Sequence, residues 1–343
     1  MKKLVTALSV LSMAVACGGD DDATTTPTAT PEPTPAGVLD LRADIPAPPE
    51  GGMQILFPDH IVPAYQDRVD CYFLSYGGED QGVVEYNSFQ APGLGHHLII
   101  FGTNADPEMY PDGTVMDCTT SDALPMTDIE PMILPNLIDP ESGVVSLNLP
   151  DGFAQRLKGG SRLVIQSHYV NTMDRDILVR DGINIGFLAP EQVGTWVAPF
   201  AFSLNNPEIP PGSSASAAFE CRWDLGTDPE TGLPREAHLL TLIPHMHEWG
   251  TNFNLTATLG DSTRNLFDNL PWDPSYRDLP PMYSLEPGEM KVTDGEVFRT
   301  SCEWFNDEDY LLEFPHEMCV TSGLYYPSKV TFICDKNKEE MPN

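Results

Sequence analysis

Proline punctuates this chain too densely for long helices. There are 33 prolines in 343 residues, nearly twice the usual ~5%, and each removes a backbone donor and crowds the preceding turn. Between them lie short runs rich in β-branched and aromatic residues: 70–75, 97–102, 161–172, 183–188, 219–224, 238–245, 296–305, 320–326 and 329–334. Short strands separated by turn residues predict an all-β fold of antiparallel sandwiches. Pro190, Pro199, Pro207, Pro210 and Pro211 mark a seam across 189–212. The expectation is two tandem β-sandwich domains, 38–195 and 196–343, a length that suits two domains of ordinary size.

The first residues read as targeting. Lys2 and Lys3 precede an apolar run from Leu4 to Val15, and Ala14-Val15-Ala16 stands directly before Cys17. This is a signal peptide over 1–16, and the small residues before Cys17 resemble the lipobox of bacterial lipoproteins, in which that cysteine is lipidated. Gly18 rather than aspartate points to the outer membrane, on its periplasmic face or at the cell surface. Residues 17–37 are a Thr/Pro/Asp-rich tether without apolar periodicity. A formal net charge of −33 repels nucleic acid and anionic lipid surfaces, so contact with a membrane is expected only through the lipid anchor. Oligomeric state is not legible. Apart from Cys17 there are six cysteines, Cys71, Cys118, Cys221, Cys302, Cys319 and Cys334. An even number in an exported chain reads as disulfides, with fifteen possible connectivities.

The chemistry-bearing residues are histidines. His245 and His247 lie two apart, on one face of a strand, with Met246 turned away. His96 and His97 head the run HHLIIFGT, and His168 lies inside RLVIQSHYV. Adjacent strand residues face opposite ways, so His96 and His97 can share an ion only if the backbone is irregular there, which Gly93 and Gly95 permit. His97 and His168 are 71 residues apart, as are His247 and Met318. Two nearby histidines followed by one further ligand, once in each half, suggest two like-built sandwiches with a three-ligand site apiece. Three imidazoles suit copper or zinc, while a thioether favours Cu(I), and three protein ligands leave a position open for dioxygen or water.

GHHLIIFGT, LVIQSHYVN, HLLTLIPHMHEWG, FRTSCEWFN and EMCVTSGLYYP occur in the order found in the copper type II, ascorbate-dependent monooxygenases, and over most of 38–334 the chain resembles that family. The resemblance implies two jelly-roll-like sandwiches with one copper in each. His96, His97 and His168 match the electron-transfer copper's ligands. His245, His247 and Met318 match those of the oxygen-binding copper, where catalysis occurs. It also implies the disulfides Cys71–Cys118, Cys221–Cys334 and Cys302–Cys319, and places His238 near the active site as a residue supporting the ligands. The implied reaction hydroxylates a C–H bond of a small organic substrate with O2, drawing electrons singly from ascorbate or another one-electron donor.

The departures narrow that reading. Ile243 stands where the peptide-amidating branch has a carboxylate-binding arginine, and Val320, Thr321 and Ser322 follow Cys319 without that branch's tyrosine or asparagine. Pro244 implies an edge or bulge beside the pair. Trp249, Trp304, Tyr325 and Tyr326 read as core, His60 and His316 as loop residues, and Glu248 as solvated. The alternatives are a non-catalytic copper-binding or copper-delivering surface lipoprotein and a structural or adhesion lipoprotein. Neither HExxH nor GxSxG is present for a hydrolase.

Overall fold

A computed structural model describes residues 34–118, 129–131, 136–137, 141–204, 206–277, 279–314 and 316–336. The signal peptide, Cys17 and most of the tether lie outside the described residues. Among those described, regular structure is strand, with two short 3-10 turns at Pro190–Gln192 and Pro274–Arg277.

The described residues form four sheets. The largest begins with β2 (Met53–Leu56), β14 (Gly182–Leu188), β5 (Gln81–Phe89) and β11 (Phe153–Leu157), with β10 (Val144–Asn148) also on β5. It continues through β15 (Thr195–Leu204), β23 (Cys319–Tyr326), β17 (Glu236–His245) and β20 (Tyr283–Ser284); β21 (Met290–Thr293) pairs with β17, and β24 (Phe332–Asp335) with β15. A second sheet orders β7 (Val115–Asp117), β4 (Asp67–Ser75), β12 (Arg162–Val170), β6 (Gly95–Thr103) and β8 (Ile129–Pro131), with β9 (Asn136–Leu137) on β6. The third is β16 (Ser213–Arg222), β22 (Val297–Asn306), β18 (Gly250–Leu259) and β19 (Ser262–Pro271). A small sheet joins β1 (Leu39–Asp40), β13 (Ile177–Val179) and β3 (His60–Val62).

Alternation along the strands builds two sandwich cores. In the first half, Ile55, Tyr86, Ile183 and Ile185 of the long sheet face Leu98, Ile100, Leu163 and Ile165 of the β4–β12–β6 sheet. In the second, Phe200, Phe202, Leu239 and Leu242 face Phe219, Phe253, Leu255, Phe298 and Trp304. Burying each large apolar side chain contributes roughly 1.5–3 kcal/mol, so each half carries its own apolar core.

The seam is a strand rather than a linker. The first three residues of β15 pair in parallel with Phe153, Ala154 and Gln155 of β11, and from Ala198 onward β15 pairs with β23. A third apolar cluster spans the join, with Val197, Leu240, Ile243, Leu324 and Tyr326 packed against Leu147, Leu149 and Phe153. All three implied disulfides form: Cys71–Cys118, Cys221–Cys334 and Cys302–Cys319.

Candidate metal centre

In the first half, β12 runs antiparallel between β4 and β6, with His168 directly opposite His97. The register then slips so that Tyr169 pairs with Gly95, leaving His96 as the extra residue of a β-bulge. The bulge supplies the irregularity that two adjacent histidines need to converge. A Cβ on Gly95 would lie 2.5 Å from Cβ of Gln90, so this close approach requires glycine. The candidate donor atoms of His96, His97 and His168 all lie within 4.8 Å of one another, and the three rings stand edge to face with centroids 4.5–5.1 Å apart.

Hydrogen bonds decide which nitrogen each ring offers. Nε2 of His168 lies 2.5 Å from Oδ1 of Asp67 and must carry the hydrogen, while its buried Nδ1 has no partner among the described residues. Nε2 of His97 reaches Oε1 of Gln166 at 3.3 Å, which leaves Nδ1 with the lone pair. An orphaned buried imidazole nitrogen beside two more rings fits a metal ion and little else. Behind this strand, Ser167 and Tyr169 face the other way and both donate to the buried carboxylate of Asp181, fixing β12 in place.

The second pair sits at the end of an equivalent antiparallel strand pair. His245 closes β17 opposite Val320 of β23. Continuing that register by two residues would set His247 against Met318, just before β23 begins at Cys319. By Pro244, β17 has lost β20 and β21 and keeps only β23 as neighbour, so its missing donor faces an open edge. The His245 and His247 ring centroids are 5.2 Å apart. Nδ1 of His247 donates to the His316 carbonyl at 2.8 Å, which leaves Nε2 as the ligand atom. Met246 is fully buried in the second core.

Glu317 organises this end. Its Oε2 accepts from the backbone N–H groups of His247 and Met318, at 3.0 and 3.1 Å, and from Trp304 Nε1 at 2.9 Å. Oε1 accepts from Trp249 N–H at 3.0 Å. One buried carboxylate therefore clasps the segment carrying His247 to the one carrying Met318. Burial pushes Glu317 up to about 7, against the pull of those four donors.

Electrostatics keep the rings neutral, as ligands must be. Burial holds His97 and His245 well below the ordinary imidazole value, and His247 at about 4. His168 is lowered by burial against the opposing pull of Asp67, whose own carboxyl is lowered chiefly by that hydrogen bond. The two clusters sense one another: charge on His96 disfavours protonation of His245 and His247, and charge on His245 does the same to His97. Between them stands Arg277, whose guanidinium is 2.9 Å from Glu248 and 3.8 Å from Asp67. Glu248 is thus ion-paired rather than simply solvated.

Three expectations change. His238 lies at the other end of β17, paired with Tyr326 and stacked on its ring at 5.4 Å. Seven strand residues at ~3.3 Å each put it about 23 Å from His245, so it does not support that ligand. His60 belongs to β3, with its ring against Tyr169 and 3.8 Å from Asp70. Met318 precedes its strand instead of opening it. Trp304, Tyr325 and Tyr326 are core residues as read, and Trp249 packs against the second core. Sequence reading missed Asp67, Gln166, Arg277 and Glu317. Only Gln166 carried a signal, two residues from His168 and so on the same face.

The sequence matches no family model and no curated protein. Among solved structures it is similar to a protein of Eubacterium rectale described as secreted, at 10% identity and a TM-score of 0.23, covering 83% of this chain and 72% of that one. It is also similar to the infectious bursal disease virus Gx strain structure, at 7% identity and 0.21, covering 81% and 74%. Allantoicase follows at 9% and 0.19, covering 74% and 77%. Likenesses this faint carry no functional argument.

Proposed function

We propose that this protein is a copper-dependent monooxygenase that hydroxylates a C–H bond of a small organic molecule, using O2 and a one-electron donor such as ascorbate. The observation that carries the reading is the pair of matched ligand sets at the ends of two like strand pairs. In the first, the bulged β6 brings His96 and His97 beside His168. In the second, Glu317 clasps the backbone N–H groups of His247 and Met318, and the His245 ring lies 5.2 Å from that of His247. Copper bound there would supply one-electron storage at both sites and dioxygen reduction at the thioether site.

The remaining work falls to the chain. Asp67 and Gln166 hold the hydrogens of His168 and His97 away from the ion, and the His316 carbonyl does so for His247. Arg277 adds positive charge that disfavours protonation of His168, His245 and His247. Ile243 is buried in the cluster at the join and offers no cation to a peptide carboxylate, which argues against peptide amidation and for a small substrate of another kind. Export and lipidation at Cys17, on the outer membrane, complete the proposal. Ascorbate-dependent oxygen uptake by copper-loaded protein tests it. Met318→Ala should keep bound copper and lose uptake, whereas copper-loaded wild type that consumes no oxygen beyond free copper leaves only a copper carrier.

A further inference from the structure

On a chain this acidic, one concavity stands apart. A cavity of about 610 Å3 opens between the two sandwiches, lined from the first half by 102–105, Pro107, Gln155, Arg156 and 158–162, and from the second by 197–199 and 329–331. Four of the chain's 18 Lys and Arg residues line it, namely Arg156, Lys158, Arg162 and Lys329, and among the described residues no Asp or Glu does. Its volume is that of a small-molecule site.

The four cations are not equivalent. Arg156 pairs with Asp80 at 2.6 Å and Arg162 with Asp112 at 2.6 Å, so two charges are compensated by carboxylates outside the lining. Lys158 is near enough to Asp80 to help lower that carboxyl but is not in ion-pair contact with it, and Lys329 has no carboxylate partner among the described residues. Lys329 instead stands over the Trp196 ring, 4.5 Å from its centroid, which holds the ammonium at the rim. One ammonium outside any direct ion pair thus comes from each half. Thr103, Asn104, Ser161 and Thr331 add hydrogen-bonding groups to the same lining.

We propose that this cavity binds a small dianion, a dicarboxylate or a phosphate, held between Lys158 and Lys329. A field that is repulsive to anions elsewhere on the surface makes a local cationic pocket selective as well as attractive. The site is separate from the metal centre. Arg162 and His168 are six residues apart on β12, which is about 20 Å at ~3.3 Å per residue. The inference therefore does not depend on copper or on catalysis.

Titration calorimetry with succinate and with inorganic phosphate tests it, using uncharged succinamide as the control ligand. The expected result is saturable binding of at least one anion, none of succinamide, and affinity that falls as NaCl rises from about 20 to about 200 mM. The double variant Lys158→Ala/Lys329→Ala should bind at least tenfold more weakly. Both side chains are exposed and unpaired, so the fold should persist. Lys291→Ala, which removes a lysine paired with Glu236 at 2.7 Å outside the cavity, should bind as wild type, as should His168→Ala. Whichever anion binds identifies the class. No saturable binding of either up to about 10 mM, equal binding of succinamide, or an unaffected double variant would overturn the proposal.

Discussion

Glu317→Gln isolates the carboxylate that joins the two parts of the thioether site. The amide oxygen can take over the position of Oε2, with its three donors, but the NH2 group then faces the Trp249 N–H, donor to donor. Leaving that N–H unpaired in a buried place costs about 2 kcal/mol, and weakening the other bonds from charged to neutral adds roughly 1 kcal/mol. In a chain of this size ~3 kcal/mol lowers the unfolding temperature by about 6 °C. The effect depends on pH, because Glu317 itself stays protonated below about 7. Calorimetric melts at pH 8 should show the full difference, and melts at pH 5.5 a smaller one. Copper content should fall by the ion bound at His247 and Met318, leaving the three-histidine site loaded. A melting temperature within about 1 °C of wild type at pH 8, with both sites retained, would refute the role given to Glu317.

Arg277→Met should cost less than about 1 kcal/mol of stability, yet raise the pH at which His247 takes up a proton, read by NMR titration; an unchanged titration would show that Arg277 does not govern the ring. Lowered imidazole values make the metal-free fold less stable in acid. The unfolded chain protonates near 6.5 and folded His247 only at about 4, so stability is lost as pH falls across that window, by about 3 kcal/mol from this ring. Glu317 acts in the opposite sense between 4.5 and about 7, but His97, His168 and His245 add to His247, so melts from pH 7.5 to 4.5 should fall. Replacing both Cys302 and Cys319 by alanine opens a loop of 17 residues at a cost of about 3 kcal/mol, and should release the thioether-site copper first, since Cys319 follows Met318. Opening Cys221–Cys334 should cost about 4–5 kcal/mol and spare both coppers; equal copper loss in the two variants would contradict this.

The sandwich class was legible because proline spacing and β-rich runs act locally. All nine expected strands are present, most within three residues of their ends, while β16 begins six residues earlier than expected, at Ser213. Missed strands include β5 and β18; in β18 the buried Phe253, Leu255 and Ala257 alternate with Asn252, Asn254 and Thr256, which dilute its apolar content. The ligand histidines were legible as residue types, and their shared spacing reflects paired strands, β6 with β12 and β17 with β23. The residues that orient them were not. Asp67 lies 101 residues from His168, and Arg277 lies 30 residues from His247 and 109 from His168, and such non-local pairings leave no trace in local pattern. His238 was placed near the ligands by the family resemblance, but it lies seven residues from His245 along one strand, stacked on Tyr326.

Copper stoichiometry combined with X-ray absorption at the copper edge tests the central claim most directly. The account predicts two coppers per chain, one with nitrogen ligands alone and one with a sulfur ligand that disappears in Met318→Ala. Fewer than two coppers, or two with no sulfur neighbour, would contradict it.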